Sequence, residues 1–297
     1  MATQPAKAEL ESFRRLLELA RAEDLGGGDI TAAMLVAGAT ARGRFVARQE
    51  LVFCGGPLLE PIAAAYDGGI VTKLLADDGR RVAAGDVLAE WSGPAGAILS
   101  AERVALNFLQ RLSGVATATA AYVAAVAGTK AKIYDTRKTT PGWRLLEKYA
   151  VRVGGGSNHR MGLYDAVLIK DNHLAIMAGA KEPDAIAALA GQIDKVRSRL
   201  PAGGFVELEV DSLEQLPAAL KLNVDVVMLD NMSAAELAEA AGIRDGAAKR
   251  DIKLEASGGI TLANVRAVAE AGVDRIAIGA LTHSAAAADI ALDMTGN

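Results

Sequence analysis

The chain holds one cysteine, three histidines and few aromatic residues, and each shortage excludes something. A lone cysteine, Cys54, cannot form an intramolecular disulfide and fits a reducing compartment. Its setting, Leu51-Val52-Phe53-Cys54-Gly55-Gly56, reads as that of a small buried hydrophobe. One thiol and three imidazoles disfavour a zinc centre, although Asn158-His159-Arg160 invites a metal reading. Aromatics make up 4% of the residues, and alanine and glycine take much of their place. Small side chains let helices pack closely on a sheet, which favours α/β architecture. No apolar run approaches the roughly 20 residues of a membrane span, and the N-terminus leads into an amphipathic helix, not an apolar signal core. A soluble, cytoplasmic protein is expected. The net charge of −4 argues against a general nucleic-acid binder.

What is present is ample apolar material, 51% of 297 residues, enough for one large or two modest domains. Residues 8–21 place Leu10, Phe13, Leu17 and Ala20 on one helical stripe. Gly26-Gly27-Gly28 then breaks the helix, more as a turn than as a phosphate cradle. Short runs between Ala41 and Trp91, bounded by glycine and proline, predict an antiparallel sheet in a small α+β domain. Ser100 is the expected N-cap of a helix over 101–112; a small-residue helix over 114–128 follows, and the domain boundary falls near 115. Beyond it strand and helix patterns alternate, with apolar runs at 132–134, 166–169, 205–210, 226–229, 252–256 and 275–278. Ser212 with Gln215 and Ser233 with Glu236 form capping boxes, and Thr261 is a further expected N-cap. The alternation implies a parallel sheet closing as a barrel over 116–284. Residues 285–297 are expected to form a C-terminal helix packing back on the N-terminal domain.

Positive charge gathers in residues 134–173, which hold Arg137, Lys138, Arg144, Lys148, Arg152, Arg160 and Lys170 with His159 and His173. Fixed cations so concentrated in an acidic chain call for a highly charged anionic ligand. Arg137, Arg160 and, further off, Arg103 suit planar carboxylates, because the guanidinium fork pairs bidentately; Lys138 and Lys170 suit phosphates as point charges. In parallel α/β folds the carboxyl ends of strands face the ligand. Here those ends carry Asp135-Thr136-Arg137-Lys138, Lys170-Asp171-Asn172, Glu209, Asp230-Asn231, Ser257-Gly258-Gly259 and Gly279-Ala280. The last two are expected to bring backbone N–H groups to a helix start late in the barrel, the usual place for a phosphate. Glu209 and Asp230 end adjacent strands and suit ribose hydroxyls or a Mg²⁺ carried by a diphosphate. Glu207 points to the same face as Glu209, and spacing does not choose between them.

With these residues the chain resembles the quinolinate phosphoribosyltransferase (carboxylating nicotinate-nucleotide pyrophosphorylase) family. Two stretches are specific: Thr136-Arg137-Lys138-Thr139-Thr140-Pro141-Gly142 and Gly154-Gly155-Gly156-Ser157-Asn158-His159-Arg160. Residues 23–26, 28–31, 100–103, 106–107, 112–117, 147–153, 168–173, 229–231, 257–260 and 279–284 carry the rest, nearly the whole chain in order. Departures at Trp143, Val153, Ser157, Met161 and Tyr164 fall between the charged positions.

The resemblance implies an N-terminal α/β sandwich domain over 1–115 and an incomplete, seven-stranded α/β barrel. It implies a homodimer, or a hexamer in some members, in which Arg103 reaches into the neighbouring subunit's site. By the same likeness Arg137, His159, Arg160 and Lys170 hold quinolinate, and Lys138 stands between the two substrates. Glu209 and Asp230 would serve the ribose and Mg²⁺, and Ser257, Gly258, Gly279 and Ala280 would cradle the 5′-phosphate. The implied reaction joins quinolinate and phosphoribosyl pyrophosphate to give nicotinate mononucleotide, pyrophosphate and CO₂, a step of NAD biosynthesis. Competing readings are a pyrophosphorylase-like paralogue linked to molybdate transport, a barrel aldolase with Lys170 as Schiff base, and a non-catalytic sensor of an anionic metabolite.

Overall fold

The computed structural model describes residues 3–170, 172–173, 176, 186, 189–247 and 249–296. Asp171, named above beside Lys170, lies outside the described residues. The chain divides into two units, Met1–Ala120 with Lys138–Gly156 and Ala280–Asn297, and Ala121–Arg137 with Ser157–Gly279. The first crossing falls near 120, and the chain crosses again at 137, 156 and 279.

In the first unit β1 (Thr40–Ala47), β3 (Val71–Leu74), β5 (Val87–Pro94) and β12 (Ile290–Gly296) form an antiparallel sheet in the order β12-β1-β5-β3. A separate pair joins β2 (Leu51–Val52) to β4 (Arg81–Val82). The expected C-terminal helix over 285–297 is thus corrected to a strand over its second half. Ile290 and Leu292 are buried while Asp293 is exposed, a period of two, and β1 offers the edge on which they pair. Helix α1 (Lys7–Leu25) buries Phe13 and Leu17, and the Phe13 ring meets Phe108 edge-on with centroids 5.1 Å apart. Helix α2 (Leu59–Tyr66) buries Ile62 and Ala63. Cys54 is a free, buried thiol, as its apolar setting suggested.

Helix α3 (Ala95–Ala125) runs unbroken through the helix expected over 101–112 and into the one expected over 114–128, ending at Ala125. Ser100 therefore sits inside it, not at its cap. Its hydroxyl donates to Asp29, whose carboxylate also receives the N–H groups of Thr31 and Ala32. Those bonds order the turn after the glycine run and hold the Asp29 carboxyl below its ordinary range. Gly114 does not end the helix because packing decides there: a Cβ would overlap the carbonyl oxygen of Ala286. The glycine's helical penalty of about 1 kcal/mol is the smaller effect. Helix α4 (Arg144–Val153) completes the unit and contributes the buried Glu147 and Tyr149.

In the second unit β6 (Lys132–Tyr134), β7 (Val167–Ile169), β8 (Val206–Val210), β9 (Val226–Asp230), β10 (Lys253–Ser257) and β11 (Arg275–Ala277) form a parallel sheet. Its order is β6-β11-β10-β9-β8-β7, six strands among the described residues where the resemblance implied seven. No ladder joins the end strands β6 and β7 among the described residues. Residues paired across a parallel ladder point to the same side, so the registers sort the side chains into two faces. One face carries Ile133, Ile169, Leu208, Val210, Val227, Leu229, Leu254, Ala256 and Ile276, all buried. The other carries Glu207, Glu209, Asp230, Glu255, Ser257, Arg275 and Tyr134, and the alternation continues to Lys170. A parallel strand buried on both faces reads as a continuous apolar run. The charges here mark one face for chemistry.

Two of the expected helix starts change in detail. Ser233 and Glu236 do form a capping box. Ser212 makes no side-chain cap, and Gln215 instead receives the N–H of Asp211. The helix after Thr261 begins only at Val265, and Asn264 turns its side-chain oxygen back to the Thr261 N–H at 2.8 Å. Replacing Gly114 by alanine is expected to cost about 1–3 kcal/mol through overpacking, read as a lower urea midpoint with the fold retained by circular dichroism.

Candidate active site

One buried acid ties the end of β6 to the loop that carries His159. Asp135, just past β6, accepts hydrogen bonds from the Asn158 side chain at 2.6 Å and from the His159 N–H at 2.9 Å. Ser157 also lies alongside β6, its N–H donating to the Ile133 carbonyl at 2.8 Å. These bonds set the end of the glycine run against the strand that leads to Arg137. Arg160 is half-buried, and its pKa is lowered by burial first and then by the positive charge of Arg137. Two guanidiniums close enough to repel each other favour an anion between or beside them.

His159 is turned inward. Its Nε2 lies 2.8 Å from Glu207 and 3.4 Å from Glu255, and its Nδ1 receives the N–H of Arg160 at 2.7 Å. Arg275 stands 2.6 Å from the other Glu255 oxygen, with its guanidinium over the Tyr134 ring at 4.1 Å. Burial opposes a charged imidazole, but the bonds from Glu207 and Glu255 outweigh it and push the pKa up to about 9. The Arg160 contact runs the other way, since a ring protonated on both nitrogens would set two hydrogens against each other. Glu207 is raised by burial and by the charge of Glu255. The Arg160 N–H makes Nδ1 an acceptor, so the ring donates from Nε2 to Glu207, and Arg275 stands against Glu255.

Further out on the same face Lys170 pairs with Glu209 at 3.0 Å. His173 Nδ1 accepts the Lys170 N–H at 3.0 Å and fixes the turn after β7. The two carboxylates that spacing could not separate differ in depth: Glu207 is fully buried beside His159, and Glu209 sits further out with Lys170. Asp230 ends β9 in register with Ser257 of β10, and its carboxylate accepts the Asn231 side-chain N–H at 2.8 Å. Asn231 itself adopts a positive φ of 56°, which a short amide side chain tolerates.

Ser257 and Gly258 turn away from β10 beside a pocket of about 100 Å³ that Ser233 and Asn264 also line. Gly258 has φ +91°, and a Cβ there would overlap the Asn231 side chain. The expectation that this turn opens directly onto a helix is corrected, since residues 260–264 intervene before Val265. Gly279 behaves as expected in this respect: the short helix Ala280–His283 begins at the next residue.

Three expected residues belong to the first unit: Arg103, Lys138 and Ala280. Arg103 is exposed on α3. The exposed Lys138 is held by its backbone, whose carbonyl accepts the Thr282 hydroxyl at 2.7 Å. The loop that follows is pinned by Glu147, which takes the Thr140 N–H at 3.0 Å and the Thr140 hydroxyl at 2.9 Å. Arg111 pairs with the same carboxylate at 2.5 Å.

Likeness to known proteins extends over almost the entire chain. The model of the quinolinate phosphoribosyl transferase C-terminal domain matches residues 115–293, and that of the N-terminal domain matches residues 29–113. The chain belongs to the quinolinate phosphoribosyl transferase family. A Mycobacterium leprae protein named carboxylating nicotinate-nucleotide pyrophosphorylase is 42% identical over 290 residues, covering 96% of this chain and 98% of that one. A Bacillus subtilis protein named a probable enzyme of the same kind is 40% identical over 286 residues, covering 95% and 93%. The solved nicotinate-nucleotide pyrophosphorylase of Francisella tularensis superposes with a TM-score of 0.86 at 37% identity, over 96% of each chain.

Within this quinolinate phosphoribosyl transferase fold, Asp135, Glu255 and Arg275 are residues to which the sequence assigned no role of their own. Their signal was present: Glu255 and Arg275 are charges inside otherwise apolar strand runs. The turn at Asn231 can be tested by substitution. Asn231→Val, β-branched at a positive φ, is expected to lose about 1–2 kcal/mol, and Asn231→Gly to stay near wild type, both by chemical denaturation.

Proposed function

We propose that this protein transfers the phosphoribosyl group of phosphoribosyl pyrophosphate to quinolinate, with loss of CO₂, giving nicotinate mononucleotide and pyrophosphate for NAD biosynthesis. The observation that carries the reading is the mutual repulsion of the Arg137 and Arg160 guanidiniums, with Lys170 paired to Glu209 on the charged face of the same unit's sheet, in a member of this family. Arg137, Arg160 and Lys170 hold the two ring carboxylates, with His159 behind Arg160. Lys138, next in the chain to Arg137, meets the charge of the departing pyrophosphate. Ser257, Gly258, Gly279 and Ala280 cradle the 5′-phosphate.

The chemistry asks more for placement than for a base. The pyridine nitrogen already has its lone pair and needs to be set against the anomeric carbon. As the C–O bond to pyrophosphate breaks, its electrons leave with the pyrophosphate and positive character builds at carbon, which Glu209 and Asp230 stabilise. The new C–N bond leaves the ring nitrogen cationic. The bond from ring to carboxylate then breaks, the electron pair stays on the ring carbon beside that nitrogen, and a proton replaces CO₂. A pocket that strips water from the carboxylate favours this step.

Glu209 and Asp230 offer only oxygen and share one sheet face on adjacent strands, a donor set that suits Mg²⁺. They would hold the Mg²⁺ that arrives with phosphoribosyl pyrophosphate, where it supplies neutralising charge. The Lys170–Glu209 pair fits an anion clamp better than a Schiff-base lysine. The names of the relatives favour this reaction over the molybdate-linked reading. A homodimer with shared sites is supported by the first unit, where Ile30, Met34 and Val36 are 88%, 85% and 81% exposed and Arg103 stands free of ion pairs among the described residues.

Incubation with quinolinate, phosphoribosyl pyrophosphate and Mg²⁺ is expected to yield nicotinate mononucleotide, and failure to form it removes the reading. Arg137→Ala should lower kcat/KM for quinolinate by at least about a hundredfold, as loss of a charge-assisted bidentate contact demands. Mixing inactive Arg103→Ala and Lys138→Ala subunits should restore part of the activity, because one site of a mixed dimer is intact. Mixed dimers that form yet stay inactive would remove the shared site.

A further inference from the structure

We infer that His159 is a positioning residue for Arg160, and that Glu207, Glu255 and Arg275 are the buried clamp that holds it. This rests on the reading of Arg160 as a ligand of a quinolinate carboxylate. An imidazole has two polar atoms, and both are engaged inside the protein: Nε2 by Glu207 at 2.8 Å and Glu255 at 3.4 Å, Nδ1 by the Arg160 N–H at 2.7 Å. The ring is buried to 6% exposure, and it meets the Phe205 ring edge-on at 5.4 Å. To bind a carboxylate directly, the ring would first have to break one of these contacts and leave a buried partner unsatisfied.

What the ring fixes is the backbone from which the Arg160 side chain departs. Arg160 is the residue that meets the charge of Arg137, so a small displacement of its amide moves one arm of the anion clamp. The clamp is itself braced. Glu255 is held by Arg275 at 2.6 Å, and Arg275 lies over Tyr134 at 4.1 Å and Phe205 at 5.0 Å. His159, Glu207 and Glu255 bring their ligand atoms within 4.8 Å of one another, a spacing that could hold a metal ion. Arg275 supplies the positive charge to this group from within the protein.

Two measurements test the clamp. Side-chain ¹⁵N NMR of the substrate-free wild-type protein at neutral pH should show His159 as the neutral tautomer, protonated at Nε2 and bare at Nδ1. A ring protonated on both nitrogens overturns the inference. This readout needs no turnover, so it decides the matter even if the assay for nicotinate mononucleotide fails. In kinetics, His159→Asn keeps an acceptor near the place of Nδ1 but loses the contact to Glu207, and should raise KM for quinolinate several-fold less than His159→Phe does. His159→Phe and Glu207→Leu should raise it by about tenfold or more, with KM for phosphoribosyl pyrophosphate changed less than about threefold. Glu207 touches no substrate in this reading, so an unchanged KM in folded Glu207→Leu overturns the inference. Equal impairment of His159→Asn and His159→Phe does the same. Should Glu207→Leu fail to fold, the NMR result and the His159 pair decide.

Discussion

A charge taken out of water must be met by another charge or give up its proton, and the second unit is organised by that demand. Its parallel sheet turns a chain of ionisable groups to one side, while the opposite side is aliphatic throughout. At depth the groups neutralise one another: Arg275 meets Glu255, and Glu207 shares its proton environment with His159. At the rim Lys170 meets Glu209, and Asp230 is held by a neighbouring amide. The balance shifts from complete inside to partial outside. Arg137 and Arg160 carry like charges close enough to repel, and the proposed dianion is the ligand that would relieve this.

The first unit uses buried carboxylates differently, as fasteners for loops. Asp78 receives the N–H groups of Gly55 and Gly56 and the hydroxyl of Tyr149. Burial raises its carboxyl pKa against those bonds, and burial also pushes the Cys54 thiol and the Tyr149 hydroxyl up. Glu147 does the same for the loop after Lys138, and Glu9 accepts two bonds from Arg152 at 2.8 and 2.9 Å. Each acid is far in sequence from at least one of its partners. Asp78 and Glu147 fasten loops, and Glu9 fastens α1 to α4.

The sheet of the second unit was legible because charged residues at strand ends and apolar alternation are local signals. Lys170, Glu209, Asp230 and Ser257 fall where that alternation puts them. Helix α3 was not legible in full, since Ser100 and Gly114 carry the local marks of a cap and a break. Their true partners, Asp29 and the 286 backbone, lie far along the chain. The direction of the His159 ring was hidden for the same reason, as it depends on Glu207 and Glu255 from two later strands. Local chemistry named the actors, and long-range contacts assigned their orientation.

The strand that finishes the first unit has a consequence for how the molecule is made. β12 pairs along β1, and the two are separated by residues 48–289, which include every strand described in the second unit. During synthesis β1 must therefore wait with one edge bare until its neighbour leaves the ribosome. An unpaired antiparallel edge is a template for other chains, and such distant pairings form slowly. The parallel sheet, by contrast, has all its strands in hand before β12 emerges. Vectorial synthesis favours an order in which the unit with the parallel sheet consolidates first and the strand that completes the antiparallel sheet arrives last.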